Sequence, residues 1–224
     1  RDTAEEVGWE ILDFTLVPPE ADLSPVISSA KAANPDVFAF GGHPENHIAM
    51  IKAAKELDFN PKAIVIHWGV ETSDFLEGVG ADADFVWGAT PWLPDVSYSD
   101  PLWGDTETAV QQFQERYDRV PDYTTAASAA TGVVYMEALN QIETDGPPLD
   151  EQEKEALVDA LEQVQVETFF GPVDFEDSGP FQHDNIGLTV LSLQIQDGEA
   201  AVVGPPDQAE VEAQYPTPAW NQRG

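Results

Sequence analysis

The segment DLSPVISSAKAANPDVFAFGGHPENHIAMIKAAKELDF, residues 22–59, restricts the possible folds more than any other stretch of the chain. Ile27, Ala30 and the run from Lys31 to Ala33 carry helical spacing. Asn34-Pro35 ends that helix, because a residue before proline is driven out of the α region. Asp36–Phe40 is then a short apolar run that reads as a buried strand, closed by Gly41-Gly42. From His43 to Phe59 helical spacing returns through Ile48, Ile51, Ala54, Lys55 and Leu57. Helix–strand–helix alternation of this kind builds a parallel sheet, and such sheets take ligands in the crevice beyond the carboxyl ends of their strands. The expectation is an α/β parallel-sheet lobe with helices on both faces, and a site near Gly41, Gly42 and His43.

The rest of the chain extends that pattern and then changes it. Residues 1–7 read as the end of a helix, followed by a strand over Trp9–Phe14. Asp22 or Ser24 is placed to cap the helix over 24–33. AIVIH (63–67) reads as the next strand, after which Trp68-Gly69 turns into a short helix over 72–79, and DFVWG (84–88) reads as another strand. Residues 89–105 hold three prolines and two tryptophans, which predicts an irregular loop. A helix follows over 106–117. The small-residue run TTAASAATGVV passes into a helix reaching about Ile142; GPPLDEQEKE reads as a linker and helix start, and 155–164 as an amphipathic helix. The end turns to β over 169–175, 188–196 and 200–203, with Asp197-Gly198 a strong hairpin signal between the last two. The proline-rich tail from Pro205 can be anchored by Tyr215 and Trp220.

Charge narrows the function classes. The chain carries 42 acidic residues against nine basic ones, a formal net charge of −33. Nucleic acid is excluded as a partner, because nothing offsets phosphate repulsion. Regular apolar periodicity argues against disorder, and the acidity reads as a halophilic surface: at molar salt the Debye length falls to about 3 Å, so neighbouring carboxylates hardly repel. With no cysteine, disulfides, thiolate catalysis and zinc–cysteine sites drop out. No apolar run approaches the roughly 20 residues of a membrane span. The opening RDTAEEVGWE looks like the middle of a helix, so the true N-terminus is expected to lie upstream. Nucleophile elbow, phosphate loop and zinc-peptidase motifs are all absent, so the chain is read as a non-enzyme. DFEDSGPFQHD lacks the glycine and terminal glutamate of a calcium loop and reads as a turn. His43 and His47 are four apart, with His67 on a neighbouring strand end; Pro44 leaves His43 outside the helix, so neither metal nor cofactor is expected.

Several segments together resemble the solute-binding proteins of branched-chain amino acid ABC transporters, with the type I periplasmic-binding fold. They are DLSPVISSAKAANPDVFAFGG, IKAAKELDF, the aromatic-rich stretch after FVWGATP, FQERYDRVPDYTTAASAATGVVYMEAL, FFGPVDFEDSG and LSLQIQDGEAAVVGP, in family order over almost the whole chain. The resemblance implies two α/β lobes closing on a small solute, with most of the first lobe missing here. It maps 1–120 to lobe II without its first strand, 121–166 to helices of lobe I, 167–204 to a return into lobe II, and 205–224 to a tail.

The family's ligand-facing loops match Gly42 and His43, with His43 alternatively a loop histidine capping the next helix. They also match His67 and Trp68, where members commonly carry an acid for the ligand's ammonium group. Neither residue is acidic here, which opens the specificity to an aromatic or amide compound; Trp68 alternatively packs in the core. Tyr123 and Thr124, at the start of a helix, match another contact position, with packing at the lobe junction as Tyr123's other reading. Glu45 is placed to replace the missing acid, or simply suits the helix dipole. The implied protein is a monomeric, extracytoplasmic component of an importer, anchored through a missing N-terminal segment, with a small-molecule solute and a membrane permease as partners. A sensory domain of the same fold and an α/β hydrolase are the alternatives.

Overall fold

A computed structural model describes residues 2–223; Arg1 and Gly224, the outer ends of the first and last expected segments, lie outside the described residues. In chain order the helices are α1 (Asp2–Glu6), α2 (Ser24–Ala33), α3 (Pro44–Glu56), α4 (Ser73–Val79), α5 (Thr106–Tyr117), α6 (Tyr123–Leu139) and α7 (Glu151–Glu162). The strands are β1 (Val37–Phe40), β2 (Ala63–Ile66), β3 (Trp87–Thr90), β4 (Ser99–Asp100), β5 (Gly104–Asp105), β6 (Gln165–Thr168), β7 (Gly171–Asp174), β8 (Leu191–Gln196) and β9 (Glu199–Gly204). The chain forms two compact units, Arg1–Thr90 with Leu191–Gly224, and Pro91–Val190.

The first unit holds a five-stranded sheet in the order β1-β2-β3-β8-β9. β1, β2 and β3 run parallel, while β8 and β9 are antiparallel additions. α2 stops where the Asn34-Pro35 pair requires: Asn34 turns left-handed at φ 53°, and its N–H closes on the carbonyls of Ala30 and Lys31. The β8–β9 hairpin turns on Asp197 and Gly198, with φ of 54° and 80°, the positive pair that an Asp-Gly turn supplies. Ile64 and Ile66 of β2, Leu193 and Ile195 of β8, and Met50, Ile51 and Ala54 of α3 are all buried.

Two close approaches explain glycines in this unit. A Cβ on Gly88 would stand 2.5 Å from Val70 Cγ1, and one on Gly78 would stand 2.5 Å from Ile48 Cδ1. The tail is fastened through Trp220, whose indole N–H donates to the Phe59 carbonyl at 2.8 Å. The Arg223 guanidinium stacks 3.6 Å from the centre of a Trp220 ring. Tyr215, the other expected anchor, is 55% exposed.

Two local expectations are corrected and a third is placed. Trp9–Phe14 forms no strand, and Trp9, Leu12, Phe14 and Leu16 are exposed. β1 is the edge of the sheet and nothing among the described residues supplies this run with a ladder partner; alternation alone cannot satisfy backbone groups. The strand expected at 84–88 begins instead at Trp87: Phe85 turns to φ 69°, and although its N–H still donates to the Ile195 carbonyl at 2.7 Å, the regular ladder starts only beyond it. The helix start expected within GPPLDEQEKE falls at Glu151, behind a capping box of Asp150 and Glu153, and the helix ends at Glu162.

The second unit contains α5, α6 and α7 with two small antiparallel pairs, β4–β5 and β6–β7. Beyond the end of β3 at Thr90, the run expected as irregular carries two short strands, and it is tied down by a buried carboxylate. Asp100 Oδ1 accepts the N–H groups of Leu102 and Trp103, each at 2.8 Å, and Oδ2 accepts that of Phe169 at 2.8 Å. Trp92, 1% exposed, packs with Ala109, Ala126, Ala130 and Phe169.

Candidate functional site

The parallel register sets Phe40 beside Ile66, so the chain leaves β1 and β2 at neighbouring points. β1 leads through Gly41-Gly42-His43 into α3, and β2 leads through His67-Trp68-Gly69. The two tips approach closely: a Cβ on Gly41 would lie 3.9 Å from His67 Nδ1. Gly42 is tighter still, since a Cβ there would stand 3.0 Å from Asn46 Cβ and 3.3 Å from Phe40 Cε1. Asn46 Oδ1 accepts the His43 N–H at 3.1 Å, and its amide donates to the Pro19 carbonyl at 2.7 Å. This holds the backbone of the β1 tip and leaves the His43 ring exposed.

Beneath the tips lies His47, one turn into α3 and 1% exposed. Neither ring nitrogen has a hydrogen-bond partner. Its ring stands edge-on to Phe40 at 6.0 Å and 77°, and to His67 at 5.5 Å and 79°. His67 in turn meets Trp68 at 6.3 Å and 70°. Phe40, His47, His67 and Trp68 thus follow one another in an edge-to-face series along the two strand ends. Burial pushes the His47 imidazole down to about 4, with His67 and then His43 adding to the effect and Glu45 opposing it. His67 is lowered too, first by burial and then by His43. Near neutral pH the buried imidazole is uncharged and offers a hydrogen-bond donor and an acceptor, not a charge.

Gly42, His43, Glu45, His67 and Trp68 therefore fall within one small region of the first unit. Glu45 is exposed in the first turn of α3, and Trp68 is half-buried. Tyr123 and Thr124 belong to the second unit. Tyr123 is half-buried against the cluster of Trp92 and Phe169, and Thr124 is exposed one residue after Tyr123 opens α6, behind the Asp122 cap. Two members of the ring series, Phe40 and His47, are not among the expected site residues. The available signal is the four-residue spacing of His43 and His47, which puts the second imidazole one turn into α3 above β2. Among the described residues, no three histidine or acidic side chains are grouped to hold a metal ion.

The second unit has a concavity of its own, about 440 Å³, lined by apolar residues of α6, α7 and the β6–β7 hairpin, including Val134, Leu161, Phe170 and Phe175. His183 and Glu162, joined at 2.9 Å, stand among its lining residues. None of the expected site residues lines it.

A family model described as periplasmic binding protein matches residues 1–198. Among solved structures, the chain is similar to a putative branched-chain amino acid ABC transporter protein from Silicibacter pomeroyi, at 20% identity and a TM-score of 0.71, covering 96% of this chain and 56% of that one. A leucine binding protein from Thermotoga maritima matches at 16% identity and a TM-score of 0.72, covering 92% and 55%. A branched-chain amino acid transporter substrate binding protein from Streptococcus pneumoniae, solved with isoleucine, matches at 15% identity and a TM-score of 0.64, covering 90% and 51%. At these identities the likeness shows the fold, and the chain spans about half the length of the structures it matches.

Proposed function

The chain belongs to the periplasmic binding protein family, and on that premise we propose that it is the solute-capturing component of an ABC importer, acting outside the cytoplasm. The observation that carries this reading is the meeting of the β1 and β2 tips, where Gly41 and Gly42 bring backbone, imidazole and indole surfaces together. Parallel sheets bind ligands at such strand ends. Capture and release of an unchanged solute would be the whole of its chemistry, and the energy for transport would come from an ATPase elsewhere.

The proposal includes the lobe assignment implied by the resemblance, with residues 121–166 belonging to a first lobe and a membrane permease reading the closed state. Support comes from the half-length match to the solved structures and from the open apolar concavity between α6 and α7, a face suited to further protein. Tyr123 and Thr124 enter the proposal as solute contacts from the first lobe.

Mass spectrometry of small molecules released by denaturing the complete protein tests the reading. A stoichiometric organic solute, recovered unchanged and rebinding the refolded protein, is the expected result. Recovery of a chemically converted product, or no binding across a panel of amino acids, amides and aromatic acids at high salt, overturns it.

A further inference from the structure

The solute-binding reading leaves the class of solute open, and the ring series at the strand tips bears on it. Phe40, His47, His67 and Trp68 contact one another at 6.0, 5.5 and 6.3 Å, with interplanar angles of 77°, 79° and 70°. Such angles alternate ring edges with ring faces, the arrangement that aromatic quadrupoles favour. The series is corrugated, so a flat ring entering it meets a face on one side and an edge on the other. A branched aliphatic solute gains only area burial from the same walls.

Exposure decides which rings an incoming molecule can touch. His67 is exposed and Trp68 and Phe40 are half-buried, whereas His47 lies underneath. The accessible surface is therefore the His67 ring beside the Trp68 indole, with the buried His47 packed against His67 and Phe40 on the far side of His47. His47 also keeps two unpartnered nitrogens within a protein interior, where polar groups are ordinarily paired. Both nitrogens lie out of reach of an incoming molecule, so His47 contributes to the site by packing against His67.

Resting on the solute-binding reading, the geometry points to a planar aromatic or heteroaromatic solute, seated against His67 and Trp68 at the tips of β1 and β2. Isothermal titration of the complete protein in molar sodium chloride tests this with four probes: benzoate and benzamide as planar compounds, leucine and isovalerate as aliphatic ones. The better planar probe is expected to bind at least 10-fold more tightly than either aliphatic one.

Trp68→Ala and His67→Ala are each expected to weaken the planar probe by about 5-fold or more, from a ring-pairing contribution of about 2- to 12-fold together with the lost contact area. His67→Phe, which keeps a ring and loses the nitrogens, retains affinity within about 3-fold. Because Trp68 is half-buried and its loss risks the fold, the exposed His67 pair of variants carries the test independently. Aliphatic probes binding as tightly as planar ones overturn the inference while leaving solute binding intact. Affinity for a planar probe that neither His67→Ala nor Trp68→Ala lowers moves the site elsewhere and also overturns it. Absence of binding by all four probes and by the solute panel overturns both readings together.

Discussion

Acidification from pH 7.5 to pH 4.5 should destabilise the first unit through a single residue, His47. Burial holds its imidazole down to about 4 against an ordinary value of 6.5, and its nitrogens have no partner to offset the loss of water. The neutral form is the one the fold accepts. Between these two values the unfolded chain binds the proton and the folded chain does not, so stability is complete above about 6.5 and falls as pH drops towards 4. At pH 4.5 the unfolded form is nearly all protonated at this site, and the linkage amounts to about 2.5 kcal/mol. His67, lowered in the same direction, adds to it.

Carboxylates titrate in the same range and change the self-repulsion of a chain at net −33, so the wild-type profile alone is not diagnostic. The informative quantity is the difference between the wild type and His47→Phe, which keeps an aromatic ring against Phe40 and His67 without a titrating nitrogen. Urea unfolding at constant high salt, followed by tryptophan fluorescence at both pH values, gives the two slopes. The wild type should lose about 2 to 3 kcal/mol more than the variant over this interval. Equal losses, within about 0.5 kcal/mol, would refute the claim that the buried imidazole is held neutral.

Three further outcomes are expected. Gly88→Ala drives a methyl group to 2.5 and 2.6 Å from the two Val70 methyls and should cost about 1 to 3 kcal/mol, largely restored by Val70→Ala in the double variant; thermal melts of the four proteins measure the coupling. Asp100→Ala strips three backbone N–H groups of their acceptor and should cost about 3 kcal/mol, lost first as hydrogen-exchange protection at Leu102, Trp103 and Phe169. With 42 acidic residues against nine basic ones, the melting temperature should rise steeply between 0.1 and 3 M potassium chloride, and a flat profile would contradict the halophilic reading.

Much of the architecture could be read from residue patterns, and the exceptions share a cause. α2, β1, α3 and β2 announce themselves because local signals agree: Asn34-Pro35 and Gly41-Gly42 punctuate a switch from helical spacing to a short continuous apolar run and back. The Asp197-Gly198 hairpin is likewise local, since its two positive φ values suit those residue types. Trp9–Phe14 has as good a strand pattern as β1, yet it stays irregular, because a strand requires a partner and a pattern records only side chains. The start of β3 is hidden for the related reason that Phe85, a bulky residue in the left-handed region, gives no sequence sign of interrupting a run.

The site divides the same way. That His67 and Trp68 would stand beside Gly41 and Gly42 follows from parallel order alone, since the carboxyl ends of adjacent parallel strands share an edge of the sheet. His47 could not be ranked without coordinates, because a histidine in the first turns of an amphipathic helix is compatible with either solvent or sheet. The close turn at Gly42, where a Cβ would press on Asn46 and Phe40, starts α3 directly after the strand tip, and His47 is the first buried residue of that helix. The same closeness that buries His47 at a cost in acid stability also fixes the ring of His67 at the surface. A substitution that lifts the loop, such as Gly42→Val against Asn46 and Phe40, should therefore raise the acid stability of the first unit and loosen the His67 ring together. Acid-unfolding midpoints and the proton resonances of the His67 ring report the two effects separately, and a change in one without the other would break the link between them.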